Sequence, residues 1–99
     1  MAQRRITWMP RALKEYKDTL QFYIQRNQSP EYSKALQSAV KRRLVFLQSF
    51  PEIGHKCSKE KIRVLNMGNY GIFYELENDQ ILIHSFWDLR RNPEERIDH

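Results

Sequence analysis

The side chains able to do chemistry gather in the second half of this chain. Lys59, Lys61 and Arg63 stand at alternate positions, and His84 and Arg90 follow. A lysine among other positive charges has a lowered pKa and can accept a proton. A histidine titrates near neutrality. Arginines stabilise negative charge as it develops. Cleavage of RNA by attack of a 2′-hydroxyl needs a base for that hydroxyl, an acid for the leaving oxygen and cations on the phosphorane, and no metal. Each residue also has a plainer reading. Taken singly, Lys59 and Lys61 read as a solvated basic loop, and Arg63 and Arg90 as arginines at strand edges. Leu82, His84 and Phe86 share one phase of a strand pattern, so His84 also reads as a packed, hydrogen-bonded histidine. Arg63 is in the opposite phase to Ile62 and Val64. If those two face a helical layer, Arg63 faces the open side of the sheet.

Other site chemistries fall away. There are three histidines and one cysteine, with no Cys-x-x-Cys or His-x-x-x-His, so no zinc site is expected. Cys57, near Lys56 and Lys59, reads either as a reactive thiol of lowered pKa or as an incidental free one. His55 and His99 read as surface residues. Only three glycines are present, so no glycine-rich phosphate cradle exists and no cofactor is expected. No pair of carboxylates is spaced for glycoside hydrolysis. The Tyr and Trp stripes, Trp87 included, read as core and not as a stacking platform for bases.

Ninety-nine residues suffice for one domain, taken as 1–99. No apolar run reaches the roughly 20 residues of a membrane span. The start, Met1 to Arg5, is charged with no apolar stretch behind it, so no secretory signal is expected and the cytoplasm is the expected location. A single cysteine excludes a scaffold stapled by internal disulfides. The net charge is +5, unevenly spread: residues 1–63 carry 14 basic and 5 acidic side chains, residues 64–99 carry 3 and 7. The positive field therefore comes from the first two-thirds. It suits a polyanionic partner, either nucleic acid or an acidic protein segment.

The elements follow from periodicity. Arg5 to Trp8 alternates and predicts a short strand. Pro10 suits a helix start. Ala12, Leu13, Tyr16, Leu20, Tyr23 and Ile24 form one stripe, with Arg11, Lys14, Glu15, Lys17 and Asp18 opposite. Ser29 predicts the cap of a second helix and Pro30 its first residue. Its stripe is Tyr32, Ala35, Leu36, Ala39, Val40, Leu44, Leu47 and Phe50, stopped by Pro51. The short connection predicts an antiparallel hairpin. Lys61 to Leu65, Tyr70 to Glu77 and Ile81 to Trp87 predict three strands, the last central, with turns at Asn66–Asn69 and Asn78–Asp79. The expected fold is α+β. An N-terminal strand lies beside a three-stranded antiparallel meander, and the helical hairpin covers one face.

That order resembles the RelE/ParE superfamily of bacterial toxins from type II toxin–antitoxin systems. The likeness is carried by Ile6-Thr7-Trp8 with Ala12 and Leu13, by Leu44-x-x-Leu47-x-x-Phe50-Pro51-x-x-Gly54, by Ile62-Arg63-x-Leu65, by Tyr70-x-Ile72-x-Tyr74 and Ile81-x-Ile83, and by Arg90 after the last strand. Met9 departs from the Ser or Thr that the family often uses as a helix cap.

The resemblance implies growth inhibition, plasmid stabilisation and an antitoxin partner whose extended, acidic segment wraps the toxin. It implies one of two targets. ParE-like toxins poison DNA gyrase without nuclease activity; RelE-like toxins cleave mRNA on the ribosome without metal. In the second case the likeness makes Arg63 and Arg90 a clamp on phosphate, with Lys59, Lys61 or His84 moving protons. RelE-like nucleases commonly carry a C-terminal tyrosine. Here the last tyrosine is Tyr74, and Arg91, Arg96 or His99 would have to substitute. The Phe-Pro-x-x-Gly turn and the missing tyrosine together lean toward gyrase. A third expectation is an inactive family member that serves only as a basic binding module. The resemblance implies no oligomeric state.

Overall fold

The structure is a computed structural model and describes residues 4–59 and 61–99. Met1 to Gln3, part of the segment inspected above for a leader, lie outside the described residues. Strand β1 (Arg5–Trp8) leads into helices α1 (Pro10–Asn27) and α2 (Glu31–Ser49). Strands β2 (His55–Lys56), β3 (Ile62–Met67), β4 (Tyr70–Glu77) and β5 (Gln80–Asp88) follow, and a 3-10 turn at Pro93–Glu95 precedes the C-terminus. The strands form one sheet in the order β1-β5-β4-β3-β2. β1 is parallel to β5, and β3, β4 and β5 form the expected antiparallel meander. β2, only two residues long and paired at the sheet's edge with β3, was not foreseen.

Local chemistry sets the helix ends. Pro10 occupies the first position of α1, where its missing N–H is no loss. Met9 is extended and makes no side-chain cap, and its carbonyl accepts the N–H of Leu13. Gln28 closes α1 in the left-handed region (φ 51°) and returns its N–H to the carbonyl of Ile24. Helix α2 starts one residue later than predicted: Pro30 is the N-cap, its carbonyl accepts the N–H of Lys34, and the Ser29 hydroxyl, one residue earlier, only accepts the N–H of Glu31 at 3.3 Å. Pro51 follows α2 and cannot continue it.

Both helices lie on one face of the sheet over a core that includes Ala12, Leu36, Val40, Leu47, Leu65, Ile72, Tyr74, Ile81, Ile83 and Phe86. Two expectations about the helix faces fail. On α2 the buried line runs through Ser33, Leu36, Val40 and Leu47, while Tyr32, Ala35 and Phe50 are exposed. Ser33 takes the place between the helices because its hydroxyl reaches the carbonyl of Leu20 on α1, at 2.7 Å. On α1, Glu15 does not point into water. Its Oε1 accepts the Ser85 hydroxyl at 2.7 Å and the Phe86 N–H at 3.1 Å. The reason lies in the sheet. β1 ends opposite Ile83, so β5 beyond that point has no strand on that side. A buried N–H there needs another acceptor, and Glu15 supplies one.

The face away from the helices is covered by the chain's own end. Phe73 lies on that side, in the phase opposite to Ile72 and Tyr74, yet is wholly buried. The Arg96 guanidinium sits over its ring, 5.2 Å from the centroid. Arg91 lies 4.5 Å over Trp87, which is buried as expected. Farther along, the Asp98 carbonyl accepts the Ser58 hydroxyl at 2.7 Å. The last ten residues thus run back from β5 across β4 to the loop after β2.

Candidate functional site

Arg63 does not face the open side of the sheet. Across the ladder it stands opposite Tyr74, and Leu65 stands opposite Ile72, so Arg63 shares the face of these core residues. Ile62 and Val64 instead point away from the helices. Arg63 reaches the turn that follows α2, and its Nη1 donates to the carbonyls of Glu52 (3.0 Å) and Gly54 (2.9 Å). Tyr74 holds the same turn. Its hydroxyl donates to the Pro51 carbonyl at 2.9 Å and accepts the Gly54 N–H at 2.8 Å. Burial pushes this phenol's pKa up, so it keeps the proton that makes the first of those bonds.

The glycine of the Phe-Pro-x-x-Gly signature is explained by the same contact. A Cβ on Gly54 would lie 2.5 Å from the Tyr74 Oη and 2.7 Å from its Cε1, closer than any side-chain carbon is tolerated. Tyr74 was legible as a core residue of the Tyr70-x-Ile72-x-Tyr74 stripe, but nothing in the sequence says that its hydroxyl holds a turn 20 residues upstream.

Arg90 is exposed and held by its own neighbour. Its Nε and Nη2 bond both oxygens of Asp88, at 2.9 and 2.7 Å, and its N–H bonds Oδ1 at 2.9 Å. The guanidinium hydrogen bond is the main reason that the Asp88 carboxyl lies below its ordinary pKa. Arg90 Nη2 also lies 3.5 Å from the Tyr23 hydroxyl, on the helical side. The two arginines do not converge. Arg63 pairs with Tyr74, whereas Asp88 pairs with Tyr70, and four residues of strand span roughly 13 Å.

His84 is also apart from both. The register of β4 against β5 shifts between Phe73 and Tyr74, leaving His84 as the extra residue of a bulge. The bulge ends the shared phase of Leu82, His84 and Phe86 read from the sequence. His84 Nε2 lies 2.8 Å from Glu75 Oε1, half-buried on the face away from the helices.

Lys59 and Lys61 are exposed on the rim of a depression of about 330 Å³ that Lys56, Cys57, Ile62, Arg63 and Leu76 also line. Lys61 adopts a left-handed backbone (φ 74°), uncommon for a side-chain-bearing residue. Cys57 is not activated by this setting. Burial first, and the Asp98 carboxylate second, push its thiol up. Two of the three substitutes for a C-terminal tyrosine are occupied elsewhere: Arg96 bonds both oxygens of Asp98, at 2.9 and 2.7 Å, and Arg91 lies over Trp87, while His99 is exposed at the chain's end.

With this geometry in view, comparison with known proteins decides the family. The family model described as "ParE toxin of type II toxin-antitoxin system, parDE" matches residues 6–93. The chain belongs to the ParE toxin family. Among solved structures it is similar to one titled "Chromosomal ParDE TA system from P. aeruginosa", with a TM-score of 0.66 and 15% identity, covering 85% of this chain and 94% of that one. At that identity the likeness carries the fold. No curated protein matches the chain. As a ParE-family toxin it is one half of a type II toxin–antitoxin pair, which implies an antitoxin partner. Among the described residues no helix is long and apolar enough to cross a membrane.

Proposed function

We propose that this ParE-family toxin acts in the cytoplasm, slows growth by poisoning DNA gyrase and is neutralised by an antitoxin carrying an acidic segment. The observation that supports gyrase over the ribosome is the separation of Arg63 from Arg90. Arg63 donates to two backbone carbonyls of the turn after α2, and Arg90 is held in a fork by Asp88. A phosphate clamp needs two guanidinium groups aimed at one point. His84, one of the three candidate proton carriers, sits with Glu75 on the other face.

The ribosome-dependent nuclease remains the second reading because of one feature. Lys56, Lys59 and Lys61 surround a single depression, and none of them makes an ion pair among the described residues. In that reading Lys59 or Lys61 moves protons and Arg63 stabilises phosphate. A third reading, a non-toxic basic binding module, rests on the net charge alone.

Pulse-labelling after tight induction in a bacterial host separates the three. Thymidine incorporation falling before amino-acid incorporation is the expected result. The reverse order assigns the nuclease, and no fall in either assigns the binding module. For the module, duplex binding that collapses steeply with added salt would mark plain phosphate contact.

A further inference from the structure

Among the described residues, the end of α2 and the turn after it expose more large apolar side chains than any other segment of comparable length. Val45, Phe46, Phe50 and Ile53 are 59, 42, 55 and 47% exposed. The rings of Phe46 and Phe50 are 4.9 Å apart, and beside them Ser49, Phe50, Pro51, Glu52 and Ile53 line a shallow concavity of about 380 Å³. A contiguous apolar patch on a small domain marks a contact surface. It is also preorganised, because Tyr74 and Arg63 pin the turn that carries Ile53 through four hydrogen bonds to Pro51, Glu52 and Gly54. A surface that needs no ordering on contact gives up less free energy on binding.

Charge selects the occupant. Residues four apart share a helix face. Arg42, Phe46 and Phe50 therefore form one ridge, and Lys41, Val45 and Ser49 the next. Each ridge is cationic toward the middle of α2 and apolar or neutral toward its end. Among the described residues, Arg42 and Lys41 are exposed and make no ion pair, and the one acidic side chain at the patch is Glu52. A second copy of this chain fits poorly. A copy would offer, among the described residues of this patch, only Glu52 against both Lys41 and Arg42.

We propose that this patch is the docking surface for an antitoxin segment that places apolar side chains on Phe46, Phe50 and Ile53 and carboxylates beside Arg42 and Lys41. The inference rests on the reading above that an antitoxin neutralises the chain. It gives Arg63 and Tyr74 the role of positioning residues, which hold the turn at the patch and touch neither target nor phosphate.

The test uses the full chain and the purified antitoxin encoded beside its gene. Two surface variants are compared with the native chain, Phe46→Ser combined with Phe50→Ser, and Arg42→Glu. Titration calorimetry should show antitoxin affinity falling at least tenfold in both, while growth inhibition by the chain without antitoxin stays within twofold. The charge variant keeps every apolar contact, so it reports even if the double variant folds poorly. Unchanged antitoxin affinity overturns the proposal. So does loss of toxicity with affinity intact, which would make the patch the target's surface. So does a native dimer, seen by sedimentation, that the variants dissociate without changing affinity. The binding readout does not depend on gyrase: if affinity falls as expected but DNA synthesis never responds to the toxin, the gyrase reading fails and the docking surface stands.

Discussion

Arg63 and Tyr74 stand opposite each other on β3 and β4 and grip one turn from the same face of the sheet. The guanidinium takes the carbonyls of Glu52 and Gly54, and the phenol takes the carbonyl of Pro51 and the N–H of Gly54. Two side chains that look like a cation of an active site and a core aromatic are one device for fixing where α2 ends.

Replacing Arg63 should therefore cost stability before it costs chemistry. Arg63→Ala leaves two backbone carbonyls with only water as partner and is expected to lower unfolding free energy by about 1–2 kcal/mol. Urea unfolding measures this. Primer extension on mRNA from intoxicated cells should show no ribosome-dependent cuts with either the native or the variant chain.

Gly54→Ala should destabilise by about 1–3 kcal/mol, because the added methyl overlaps a phenol that has no free space to move into. Part of that cost should vanish in a Tyr74→Phe background, where the nearest atom of the overlap is gone. A double-mutant cycle by thermal or urea unfolding reads the coupling, and strict additivity would contradict the contact.

Glu15 stands in for the strand that β5 lacks beyond Ile83. Glu15→Ala leaves the Phe86 N–H and the Ser85 hydroxyl without their acceptor and is expected to cost about 2–3 kcal/mol. Glu15→Gln keeps an acceptor oxygen at that place and should retain most of the stability. Amide exchange at Phe86 should accelerate in the alanine variant only.

The C-terminal residues should behave as part of the core. Removing Arg96 to His99 uncovers the ring of Phe73 and frees Ser58, with an expected loss on the order of 1–3 kcal/mol. Dye binding to exposed apolar surface should rise alongside the drop in the urea midpoint.

Asp98 adds a pH dependence of defined sign. Burial raises its pKa, but the hydrogen bonds and charge of Arg96 outweigh that and leave the carboxyl below its ordinary value. A depressed folded pKa contributes stability that is present above the unfolded value of about 4 and is lost as pH falls through the folded one. Unfolding free energy should fall more steeply below about pH 4 in the native chain than in Asp98→Asn, which has no such group to titrate. The same substitution removes a negative charge from beside Cys57 and should speed its alkylation at pH 8, because burial and Asp98 both push the thiol's pKa up.

The sequence by itself determined the α+β order, both helices, the three-stranded meander and the Asn78–Asp79 turn. These rest on local rules: apolar spacing of three to four against alternation, and proline at a helix start. It also carried the family, through Phe50-Pro51-x-x-Gly54 and the strand signatures around Arg63 and Tyr74. Only the tertiary structure decided which way Arg63 points, because strand phase names two faces without saying which one the helices cover. Only the structure showed the bulge at His84, which shifts every later side chain of β5 and which no residue type announces. The inward turn of Glu15 was equally hidden, since it answers an N–H left open by the early end of β1, nearly eighty residues away in the chain. The return of Arg96 over Phe73 is of the same kind. A polar tail becomes a cover only when a sheet presents an aromatic ring for it to lie on.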